Sequence, residues 1–178
     1  MSYLLDTNVV SELRKRTPDR NVLAWFDDVP SAELFLSVLT LGEIRLGVER
    51  LRRRDETQAA ALSRWLTGLS RAYTDRIVAI DAAVADAWGR LSVPDPLPVI
   101  DGLLAATASV RNWTLVTRNT ADLARSGVRL LNPFEPAGGP PRNGQRTRLP
   151  DGSYGGLVCR VAGTIVPPTL TSYLPAAR

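Results

Sequence analysis

Histidine is missing from all 178 residues of this sequence. Without it there is no imidazole acid–base chemistry, no Ser-His triad and little prospect of a zinc site. Any catalysis must rest on carboxylates, Lys or Arg, hydroxyls, or a metal held by oxygen ligands. Cysteine occurs once, at Cys159, so no internal disulfide can form, and a cytoplasmic protein is the simplest expectation. Long apolar runs are lacking as well. None approaches the roughly 20 residues a membrane helix needs, so no membrane partner is expected. A secretory signal is not expected either, because Asp6 and Glu12 interrupt any apolar region after Met1.

An excess of basic charge is present overall but absent from most of the chain. The net charge is +4, from 22 Lys and Arg against 18 Asp and Glu. From residue 137 onward there are five Arg and one Asp. Taking these away leaves 17 basic and 17 acidic residues over 1–136. The high isoelectric point of about 9.8 therefore describes the C-terminal stretch and says little about the rest.

What is present is an alternation. "SYLLD", "LFLSVLT", "RIVAID", "WTLVTRN" and "VRLLNP" read as strands. Between them lie helical patterns: "TNVVSELRK", "PDRNVLAWFDDV", the hairpin of "LGEIRLGVERLRRR" and "ETQAAALSRWLTGLSRAY", "AAVADAWGRL" and "DGLLAATASVRN". Strands alternating with helices predict an α/β fold with a parallel sheet covered on both faces. At about residue 136 the composition shifts. "PAGGPPRNGQRTRLPDG" reads as a linker, and "GLVCRVAGTIVPP" as one or two short strands. The expected division is a domain over 1–136 and a Gly/Pro/Arg-rich extension over 137–178, disordered or docked.

Ligands of open parallel sheets bind beyond the carboxyl ends of the strands, and four acids fall there. Asp6 ends the first strand. Glu43 is placed in the first turn of the helix after the second. Asp101 opens the helix after "PLPVI", and Asp122 lies just beyond "TLVT". Each also has an ordinary structural reading. Asp6 can form a turn, Glu43 can complete a capping box with Thr40, Asp101 can be an N-cap, and Asp122 can be an exposed helical residue. One such acid carries little weight; four at one end of one sheet carry more. Like charges at close range disfavour joint ionisation, and a divalent ion reverses that balance. Clustered carboxylates are hard oxygen ligands suited to Mg²⁺ or Mn²⁺, and such a site serves phosphodiester hydrolysis.

The stretches "LLDTNVVSEL", "LSVLTLGEIRLGVERL", "IDGLLAATA" and "LVTRNTADL" resemble, in order, the motifs of PIN-domain ribonucleases. The likeness is greatest to the VapC and FitB-type toxins of toxin–antitoxin pairs, and it spans residues 2–134. It implies a PIN-like three-layer fold with a central five-stranded parallel sheet, Mg²⁺- or Mn²⁺-dependent endoribonuclease activity on RNA, a homodimer and a cognate antitoxin. By position, Asp6, Glu43 and Asp101 match the family's first three acids, with Asp6 and Asp101 as metal ligands and Asp122 a further catalytic candidate. Asn8, Thr117 and Asn119 fall at supporting positions. Asn119 stands where many relatives have an acid, which bears on a second metal more than on the first.

For RNA phosphates the candidates are Arg52, Arg53 and Arg54, with Arg50, near one helix end, and Arg118 beside the site. The same arginine run also suits a helix C-terminus as a solvated face. Val22, Trp25, Phe26, Leu46, Leu51, Leu62, Trp65 and Leu69 are assigned mainly to the core, with any excess available to a dimer or antitoxin surface. Arg142, Arg146 and Arg148 in the extension can reach for carboxylates, which raises self-inhibition. Two rival functions stand beside the nuclease: a degenerate PIN domain that only binds RNA or protein, and phosphoryl-transfer chemistry on another substrate by a phosphatase or DNA exonuclease.

Overall fold

The computed structural model describes residues 1–136 and, as backbone, Cys159–Val161 and Thr164–Val166. Among the described residues, five strands make one parallel sheet: β1 (Tyr3–Leu5), β2 (Leu34–Ser37), β3 (Ile77–Val78), β4 (Thr114–Val116) and β5 (Leu130–Leu131). Their order is β3-β2-β1-β4-β5. Leu5 lies opposite Leu36 on one side and Val116 on the other. The chain builds outward from β1 in both directions, which makes the carboxyl end of β1 the switch point of the sheet and the expected place for a ligand.

The apolar run of β1 is explained by helices on both faces. Leu5 faces a core with Leu36, Val116, Ile44, Val48, Leu62 and Leu66. That core is covered by α1 (Thr7–Glu12), α3 (Val38–Arg52) and α4 (Glu56–Ala72). Leu4, one residue earlier, points the other way. It meets Leu115, Leu104, Ala105 and Ala108 under α6 (Val99–Val110), which pairs with α5 (Ala82–Leu91). Small residues let α6 come close: a Cβ on Gly102 would stand 3.0 Å from the Trp88 indole.

Among the described residues two further α-helices are α2 (Arg20–Asp28) and the four-residue α7 (Thr120–Leu123), the second of which the periodicity does not predict. Of the apolar residues assigned to the core, Val22, Leu62 and Leu69 are buried, and Trp25, Phe26, Leu51 and Trp65 pack against it in part. Leu46 is exposed.

The "LFLSVLT" segment needs a correction. The strand stops at Ser37, and α3 begins at Val38 because the Ser37 hydroxyl accepts a hydrogen bond from the Leu39 N–H at 3.1 Å. A cap of this kind satisfies one of the donors left free in a helix's first turn. No helix among the described residues is long and apolar enough to cross a membrane. Cys159–Val161 (β6) and Thr164–Val166 (β7) pair antiparallel, within the segment read as short strands. The linker and the three arginines of the self-inhibition reading lie outside the described residues.

Candidate active site

Asp6 follows β1 without a gap and is held from three sides. Its N–H donates to the Val116 carbonyl at 3.0 Å, so it is still tied to β4. Its Oδ1 accepts from the Thr7 N–H at 2.5 Å, making it the N-cap of α1. Its Oδ2 accepts from Asn8 Nδ2 at 2.5 Å and from the Thr117 hydroxyl at 2.7 Å. The turn-forming reading is therefore true and incomplete: capping occupies one oxygen, and two supporting side chains fix the other.

Thr117 closes this network. It is fully buried, and its hydroxyl also accepts from Asn8 Nδ2 at 3.1 Å and from the Asn119 N–H at 3.0 Å. Asn8 Oδ1 takes the Arg118 N–H at 3.1 Å. Residues 6 to 8 are thereby locked to residues 117 to 119 across the two central strands.

Glu43 is not in the first turn of its helix, nor does it form a capping box with Thr40. The helix starts too early for that, and the Thr40 hydroxyl donates instead to the Leu5 carbonyl at 3.2 Å. Glu43 lies in the second turn, half-buried, where its Oε2 accepts from the Thr7 hydroxyl at 2.5 Å. Asp101 is not an N-cap either, since Pro98 holds that position and Asp101 falls in the first turn of α6. Asp122 is exposed on α7.

Electrostatics couples the four acids pairwise, Glu43 to Asp6 and both Asp6 and Asp122 to Asp101. Burial raises the Asp6 carboxyl above its usual 3.8; hydrogen bonds from Thr117, Thr7 and Asn8 oppose this, and the Glu43 charge adds to it. Asp101 is raised too, first by burial, then by the Asp6 charge and by Asp122, with a hydrogen bond from Asn119 pulling it back. Repulsion is mutual, so Asp6 and Asp101 are best treated as one coupled pair whose joint ionisation is disfavoured.

Such a donor set, all oxygen and held apart by repulsion, suits a hard divalent cation. Among the described residues, no three acidic side chains form a ready-made metal-binding group. Mg²⁺ does not require one, because it takes one or two carboxylates and keeps several waters. Asp6 and Asp101 meet that demand.

Of the arginine candidates, Arg118 lies beside Asn8, its N–H donating to Asn8 Oδ1, and Arg52 and Arg53 lie at the C-terminal end of α3. The Arg118 guanidinium lies over the Phe134 ring, 4.9 Å from its centroid. Arg52 pairs with Glu49 at 2.5 Å, and Arg53 caps the end of α3. At about 1.5 Å per residue, Arg52 stands roughly 14 Å along α3 from Glu43. Thr7 escaped the sequence reading. Its signal was only its place beside Asp6; its contact with Glu43 spans 36 positions.

Residues 3–127 match the PIN domain family. VapC ribonuclease Y4jK of Sinorhizobium fredii is 34% identical over 148 residues, covering 75% of this chain and 99% of that protein. Toxin FitB of Neisseria gonorrhoeae is 30% identical over 136 residues, with 74% and 97% covered. The crystal structure of FitAcB from the same organism superposes with a TM-score of 0.69 at 30% identity, over 75% of this chain and 99% of that one. A toxin-antitoxin complex from Klebsiella pneumoniae gives a TM-score of 0.53 at 27% identity, over 75% and 99%.

Proposed function

This chain belongs to the PIN-domain family, beside its VapC and FitB-type toxins, and from that premise we propose that it is the toxin of a toxin–antitoxin pair, acting in the cytoplasm as a divalent-metal-dependent endoribonuclease. The observation that carries this reading is the joining of Asp6 to Glu43 through Thr7 at the carboxyl end of β1, with Asp101 raised by burial and by the charges of Asp6 and Asp122. Asp6 and Asp101 would hold Mg²⁺ or Mn²⁺, which supplies polarisation of the phosphodiester and a more acidic water. The protein's own part is placement. Asn8 and Thr117 fix Asp6, Asn119 restrains Asp101, and Glu43 and Asp122 complete the negative rim. Arg118, stacked on Phe134, offers its N–H edge to a backbone phosphate. Arg52, Arg53 and Arg54 are suited only to more distant, sequence-independent phosphate contacts.

The protein partners proposed are a cognate antitoxin, supported by the similarity to a toxin-antitoxin complex, and a second copy of the chain. Asn119 favours one alternative, a non-catalytic PIN domain that binds RNA or protein, because a neutral side chain stands beside Asp101. Cleavage of a structured RNA decides between them. Activity is expected with Mg²⁺ or Mn²⁺, lost in EDTA and abolished in Asp6→Asn, while Asp122→Asn, altering an exposed acid, reduces it less. Full activity in Asp6→Asn would sink the assignment. Metal-dependent cleavage of a different phosphate ester, with RNA left intact, would point to other phosphoryl chemistry on the same acids.

A further inference from the structure

Thr7 touches two acids at the end of β1, Asp6 and Glu43. Its N–H donates to Asp6 Oδ1 and its hydroxyl donates to Glu43 Oε2, each at 2.5 Å. A threonine hydroxyl has a single proton to donate, and here it goes to a carboxylate 36 positions away on another helix. Glu43 is half-buried and has no arginine or lysine partner among the described residues. The Thr7 hydroxyl is therefore what fixes its carboxylate relative to Asp6. Because one residue holds both carboxylates, the distance between two like charges is set by a rigid link: the first residue of α1.

Resting on the nuclease reading above, we infer that Thr7 is a positioning residue that orients Glu43 against Asp6 through its hydroxyl and so sets the geometry in which a divalent ion is bound. Groups that orient metal-site carboxylates typically cost about 10- to 100-fold in metal affinity or activity when removed. Thr7→Val keeps the shape and removes the hydroxyl; Thr7→Ser keeps the hydroxyl.

The test measures Mn²⁺ affinity of RNA-free protein by calorimetry, together with kcat and KM for RNA cleavage. For Thr7→Val we expect Mn²⁺ affinity and kcat each to fall roughly 10-fold or more, with KM little changed, and for Thr7→Ser we expect both to stay near wild type. If Thr7→Val does not fold by circular dichroism, Thr7→Ala replaces it against the same serine control. Wild-type Mn²⁺ affinity and kcat in a folded hydroxyl-free variant would overturn the inference, as would equal losses in Thr7→Ser and Thr7→Val. Asp6→Asn, measured in parallel, separates the two levels. If it is inactive while Thr7→Val is normal, only the role of Thr7 is lost. If Asp6→Asn is fully active, the nuclease site itself is misassigned.

Discussion

Burial and crowding give Asp6 and Asp101 a higher proton affinity in the folded protein than in the unfolded chain, where the value is near 3.8. The sign of the stability effect follows from linkage. Between 3.8 and the raised values, the folded state binds more protons than the unfolded one. The stability these two groups contribute is complete below 3.8 and is lost as pH rises through their folded values. Asp101→Asn removes one of the two. In EDTA, its melting temperature relative to wild type is therefore expected to rise as pH goes from 4 to 7, read from thermal melts at each pH. A constant difference would mean that Asp101 is not crowded. At this scale the sequence was a good guide to identity and a poor one to contacts. Asp6 could be singled out because a carboxylate directly follows a buried run. Thr7 could not, because the Glu43 carboxylate it holds arrives through tertiary packing.

Among elements, the start of α3 shows where sequence patterns mislead. "LFLSVLT" is continuously suited to a strand, and both Ser37 and Thr40 can cap a helix. Ser37 holds the cap at the end of β2, and Thr40 then falls inside the first turn, where its hydroxyl donates to the Leu5 carbonyl. That choice moves Glu43 into the second turn, on the face toward Thr7. Ser37→Ala is expected to cost about 1 kcal/mol, within the range for lost N-caps, as a shift in the urea midpoint with unchanged slope. The α3–α4 hairpin, α5 and the central strands were legible from periodicity because their apolar faces are long. The four residues of α7 are too few to show a period.

At the scale of the whole molecule, the parallel sheet and the two apolar cores seen among the described residues lie within residues 1–136, and so do the four acids proposed for the site. The strand order was not legible from local pattern, since nothing in a strand's own residues tells which neighbour it will take. A chain ending at residue 136 is expected to keep its melting temperature within a few degrees and to cleave RNA as the full chain does. Its charge, 17 of each sign, would be balanced. A gain in cleavage on truncation would instead show that the extension covers the site.

The lock between Asp6 and Thr117 also carries a consequence in time. Its two halves are 111 positions apart, and synthesis proceeds at about 5–20 residues per second. The acid is made first, and its partner hydroxyl seconds later. A growing or prematurely ended chain that lacks β4 has Asp6 but nothing to hold it across the sheet. Such a chain does not possess a dormant site; it has no site yet. Whatever a ribosome releases short of β4 is expected to be harmless to RNA.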